Sequence, residues 1–260
     1  MKKKNIIAMC SIALGVALLA GGISPVFAQG VMAASSSSRA AMQAQRLQNI
    51  VNRADQEIAR RITALNALST RINAMQRVSA SDKSSLSSTI QTQINAMNTL
   101  QGQITADENS TTSLRTDIQS ITTSYRIFIL VIPQGAIEAA ADRVMTIVSD
   151  MTTLGTKLQA RITALGSSAS ATLTSAMADF NTKVADANTQ AQTAVSGVSG
   201  LQPDMGNTTV QQANTSALKE ARSEIQAAQK DLIAARQDAG TIVKALLAQS
   251  TTTPAAGGSY

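Results

Sequence analysis

Apolar residues recur along this chain at a spacing of seven, in long stretches separated by short polar breaks. Between Arg39 and Val78, one heptad position holds Val51, Ile58, Leu65 and Ile72, and a companion position offset by three holds Leu47, Ala54, Leu68 and Met75. Two such series predict one amphipathic helix feeding a coiled-coil seam, roughly 60 Å long at 1.5 Å per residue. Arg61 falls on the companion series and interrupts it, which leaves two readings: a buried or partner-directed arginine, or, favoured by its long stem, snorkelling to the edge of the seam.

Ser79 to Asp82 supply turn and cap chemistry for a second helix reaching about Thr105, with Leu86, Ile90, Ile94, Met97, Leu100 and Ile104 on its apolar face. Asp107 to Ser110 form the next break, and a third helix carries the chain into Tyr125-Arg-Ile-Phe-Ile-Leu-Val-Ile-Pro-Gln-Gly135, the densest apolar segment. Two conformations fit that segment: a helix continuing to Pro133, or a kink or extended piece at Ile129–Ile132, since proline disfavours the α region just before it. Tyr125, Ile127, Phe128, Ile129, Leu130 and Ile132 are thus candidates for the core or for a partner's docking site. Pro133 suits the opening of a fourth helix, with Ile137, Val144, Met151, Leu158 and Leu165 on one series and Ala140, Ile147 and Leu154 on the other, ending at Gly166. A fifth helix, about Ser168 to Val195, uses Leu173, Met177, Phe180, Val184, Ala187 and Ala191; Gly197 to Asn207 is a loop rich in Gly, Pro and Asp. The sixth, about Thr208 to Gln249, sets Leu218, Ile225, Leu232 and Leu246 against Ala221, Ala228, Ala235 and Ile242, and alanines in a seam let a facing helix approach closely.

Short links imply antiparallel neighbours. The expected fold is all-α: an elongated antiparallel bundle or coiled coil of about six helices, in two three-helix halves over residues 39–132 and 133–249, with a disordered tail over 250–260. Arg61–Leu65 and Arg161–Leu165 both read RITAL, which fits a duplicated helical unit.

The first 28 residues differ from the rest. Lys2, Lys3 and Lys4 precede an apolar stretch from Ile6 to about Ile23, and Val26-Phe27-Ala28 offers a signal-peptidase site. This pattern predicts a secretory signal peptide, export to the cell envelope or beyond, and a Ser-rich link over 29–38. The alternative is an uncleaved signal anchor, which would be the chain's one route into a membrane. The single cysteine, Cys10, lies within the signal, so the exported part would hold no disulfide.

Charge changes the picture little. Of 22 Lys and Arg, three belong to the signal, leaving 19 against 16 Asp and Glu. Nucleic-acid binders carry a larger basic excess with interleaved aromatics, and aromatics make up 2% of this chain. What basic character exists is patterned: Arg39, Arg46, Arg53 and Arg60 recur every seven residues, with Arg61, Arg71 and Arg77 beside them. The stripe, with Arg39, Arg46, Arg53, Arg60 and Arg61 as its candidate residues, fits an anionic envelope polymer or an acidic partner.

Histidine is absent, which removes the commonest general base and zinc ligand. No Gly-rich phosphate loop, Asp-rich calcium loop or nucleophile elbow occurs, so no cofactor, metal or catalytic residue is assigned. Glu138 and Asp142 share one helix face after Pro133, where a metal or acid–base pair is conceivable, though a first-turn carboxylate also interacts favourably with a helix N-terminus. The expected role is non-catalytic: a structural or protein-interaction bundle that self-associates or binds a partner through its seams, or alternatively a module for an anionic ligand.

The RITAL motif at Arg61, the segment SYRIFILVIPQG from Ser124 to Gly135 and AAADR from Ala139 to Arg143 resemble a loose group of exported all-helical proteins found in small-genome candidate bacterial phyla. The resemblance covers about the middle half of the chain and implies export and helical architecture. The group has no established activity to carry over.

Overall fold

A computed structural model describes the backbone of residues 25–123 and 126–252 and the side chains of residues 37–122 and 126–249. Residues 1–24 of the expected signal, residues 253–260 of the expected tail, and Tyr125 lie outside the described residues. All regular elements described are helical: α1 (Pro25–Asn73), α2 (Ala80–Ala106), α3 (Thr111–Thr123), a π turn (Ile127–Val131), α4 (Ile132–Ala164), a 3-10 turn (Gly166–Ser168), α5 (Ala171–Ser199) and α6 (Thr208–Thr252). No helix among the described residues is long and apolar enough to cross a membrane.

The chain divides into two compact units, residues 1–46 and 47–260. In the first, α1 is helical from Pro25, so continuous helix replaces the expected Ser-rich link over 29–38 and the expected start at Arg39. A proline in the first turn gives up an amide that has no helical partner there, and interior serine costs only about 0.5 kcal/mol against alanine. The side chains described in this unit, residues 37–46, are all exposed.

The second unit holds the core. Val51, Ile58, Leu65 and Ile72 are buried on α1, together with Ala54, Leu68 and Met75 of the companion series. All six α5 positions that the heptads mark are buried, as are Leu218, Ile225, Leu232 and their alanine partners on α6. α5 and α6 pack extensively against each other, because Ala187, Ala191 and Ala194 face a helix whose own seam is Ala221, Ala228 and Ala235.

Three expectations are corrected. On α4 the second buried series is Ala141, Val148, Gly155 and Ile162, while Ile147 of the expected series is exposed. A straight helix of 3.6 residues per turn accommodates an offset of four as readily as three, and α4 is turned by having to pack on both α5 and α6. The RITAL copies are out of phase: Arg61 and Leu65 are buried, whereas in the second copy Ile162 is buried and Arg161 exposed. Five shared residues therefore do not make two equivalent units. Nor does the chain divide at Pro133, since residues 47–260 form one unit that contains it.

The central apolar segment is neither plain α-helix nor extended. Arg126 adopts a left-handed backbone (φ 44°, ψ 33°), Ile127–Val131 form the π turn, and α4 follows without a break. Ile127 and Leu130 are core residues, Phe128 and Ile132 are half-buried, and Ile129 is exposed.

Candidate functional site in the first turns of α4

Polar side chains that a bundle core excludes collect on one face of α4. Gln134, Glu138 and Asp142 stand four residues apart, hence one above another on the helix, and all are buried, Glu138 completely. The outer two have specific partners. The Gln134 amide donates to the carbonyl of Val198 at the end of α5 (2.9 Å). Asp142 Oδ1 accepts from three successive backbone amides in the turn after α1: Gln76 (2.8 Å), Arg77 and Val78 (3.1 Å). Consecutive amides converging on one oxygen form an anion-binding nest. Here the anion is a side chain of the same protein, and the nest explains why α1 stops at Asn73 and not near Val78. The Lys83 ammonium donates to the Met75 carbonyl (2.6 Å), and Ser79 caps α2 by accepting from the Asp82 amide (3.1 Å).

Glu138 is the exception, because neither carboxylate oxygen has a hydrogen-bond partner. Burial, and secondarily the charge of Asp82, push its carboxyl from 4.5 up to about 8, so it is protonated at neutral pH. The pair that the sequence offers for acid–base work is therefore split: Asp142 is committed to backbone amides, and Glu138 is a neutral acid sealed from solvent.

Three arginines meet the π turn that precedes α4. The guanidinium groups of Arg60 and Arg61 sit 4.9 and 5.1 Å from the centroid of Phe128, within cation–π range. Arg61 does not snorkel: it is buried and ion-paired with Glu57 one turn earlier. Arg126 pairs with buried Asp204 (3.0 Å), whose other oxygen accepts from the Gly206 amide (2.8 Å). That pair ties the α5–α6 loop to the π turn.

Of the arginine stripe, Arg53 and Arg60 are exposed in the second unit, and Arg39 and Arg46 are exposed in the first. Gln134, Arg126 and Asp204 carry structural work that the heptads do not mark. Gln134 was within reach of inspection through its spacing from Glu138 and Asp142; a left-handed arginine has no local signal. Among the described residues no group of three or more His, Cys, Asp or Glu could hold a metal ion. Set beside known proteins, the chain matches no family model, no curated protein and no solved structure.

Proposed function

We propose that this chain is a non-catalytic structural or protein-interaction bundle, exported to the cell envelope, whose helices run antiparallel. The hydrogen-bonded pairs support antiparallel running: Gln101 reaches back to Asp55 while Lys83 meets Met75, and Gln190 reaches Asp231 while Asn214 meets Gln202. Partner numbers fall as the donor's helix advances.

The observation that carries the interaction role is the outward face of α6. Ile233 (60% exposed), Val243 and Leu247 (62%) leave an apolar stripe on the side away from the seam. Ile233 and Leu247 are two heptads apart, with Arg236 and Lys244 beside them. A second helix, from another copy or from an apolar-faced partner, would cover it. Light scattering on the chain from residue 29 onward, at low and high salt, tests this. We expect a helical oligomer that persists in salt and is dissociated by Ile233→Lys with Leu247→Lys. A monomer at every concentration that also fails to retain envelope protein sinks the role.

A second role rests on the exposed guanidiniums of Arg53 and Arg60, one heptad apart on α1. They favour an anionic polymer, whose binding would weaken with salt and fall when Arg46, Arg53 and Arg60 become Gln. Polymer binding untouched by those changes removes this second role.

A further inference from the structure

A cleft of about 680 Å3 opens between the end of α1, the first half of α4 and the middle of α6. It exists because α4 presents Ala139 and Ala140 there, side chains too short to fill the space between three helices. Its volume lies within the ~300–1,000 Å3 range of small-molecule sites. Two kinds of surface meet in it.

The floor and one wall are apolar: the alanines, Leu232 of α6 and Ile147, which leaves 47% of its surface in water. At the rim stand Arg71 from α1 and Arg143 from α4. Neither guanidinium forms an ion pair with, or donates a hydrogen bond to, any described residue. Many arginines of this chain are unpaired, but these two come from different helices to one cavity. The one carboxylate in the lining, Asp142, accepts through Oδ1 from the amides of Gln76, Arg77 and Val78 and forms no ion pair with either arginine, so two guanidiniums stand against one carboxylate. The cleft is positive at its edge and greasy at its base.

We infer that this cleft binds an amphipathic anion, a medium-length aliphatic chain ending in a carboxylate. The head lies between Arg71 and Arg143, where a planar guanidinium matches a carboxylate with two parallel hydrogen bonds. The tail lies on Ala139 and Ala140 against Ile147 and Leu232. This site is separate from the arginine stripe and from the α6 stripe, and it stands whether or not either of those is functional.

Isothermal titration of the full chain with decanoate, below the concentration at which it forms micelles, tests the inference. Decanol, decyltrimethylammonium, butyrate and inorganic phosphate serve as comparisons. The expected result is saturable one-to-one binding of decanoate alone, weakened about tenfold or more by Arg71→Gln with Arg143→Gln, as loss of a charge-assisted pair predicts. Both arginines are exposed, so these changes leave the fold intact, which circular dichroism verifies. Ala140→Leu, which fills the floor, abolishes binding while the arginines stay in place. Equal binding of decanol shows that charge plays no part, equal binding of butyrate or phosphate shows the same of the floor, and an unchanged affinity in the double arginine variant removes the site. Any one of these overturns the inference.

Discussion

At the level of single residues, the fold depends on what its few buried polar groups touch. Glu138 is buried with no partner for either oxygen, and its carboxyl is raised from 4.5 to about 8. The native state therefore holds a proton between those values that the unfolded chain releases. Stability from this group is greatest below about pH 4.5, falls as pH rises toward 8, and is level above that. At about 1.4 kcal/mol per pH unit, the penalty above pH 8 amounts to a few kcal/mol. Glu138→Gln keeps the shape and removes the titration, so urea midpoints at pH 9 should rise relative to the parent and those at pH 4.5 should not. Equal midpoint changes at both pH values would refute the buried acid. Asp142 differs in having hydrogen-bond partners. Truncation to Ala strands three amides that it now satisfies and should cost about 2–4 kcal/mol, whereas Asp142→Asn retains an acceptor and should cost less. A loss of under half a kcal/mol in the Ala variant would mean that water replaces the carboxylate without penalty.

At the level of helices, glycine separates packing from propensity. Gly155 lies where α4 meets α5, and a Cβ there would stand 2.8 Å from Cε1 of Phe180, a ring with no exposed surface. Gly102 on α2 has nothing within 4 Å of the same atom. Alanine should therefore stabilise at position 102 by about 0.5–1 kcal/mol, through helix propensity and lost unfolded-state entropy, and destabilise at 155 by about 1–3 kcal/mol through overpacking. Thermal melts of the two variants should move in opposite directions; movement together would show that the α4–α5 contact yields. The same contrast shows what the sequence discloses. Helix existence, most boundaries and the apolar faces of α1, α2, α5 and α6 follow from the seven-residue spacing, because burial on one face dictates it. On α4 the series through Ile137, Val144 and Leu158 followed too, but its companion did not, since the helix's orientation is decided by two neighbours at once. The π turn and left-handed Arg126 were equally hidden, because tertiary partners hold them: Asp204 is 78 residues away from Arg126. Of the two readings open for Arg61, the buried one holds, and the heptads could not choose it because its partners are Glu57 and a ring 67 positions on.

At the level of the whole second unit, no disulfide among the described residues cross-links the chain, and its cohesion depends on contacts far apart in sequence. The start of α4 is where they converge. Within a few turns it meets Leu68 of α1 at Gly135, the turn after α1 at Asp142 and the end of α5 at Gln134, and the π turn before it is held to the α5–α6 loop by Arg126 and Asp204. Residues 47–260 should therefore unfold as one cooperative body. Arg126→Ala tests this. It leaves the Asp204 carboxylate, 3% exposed in the native protein, without its cation, and breaking a buried pair from one side costs about 3–5 kcal/mol. Arg126→Ala with Asp204→Asn removes the stranded charge and should recover part of that loss, which distinguishes an ion pair from mere lost packing. If α4 couples the unit, urea melts followed by helicity show a single transition displaced to lower urea with its slope kept. A curve that splits, with one part unmoved, would mean that the helices before Arg126 hold together without those after it. The start of α4 would then be a seam between two folding units, not the place that joins them.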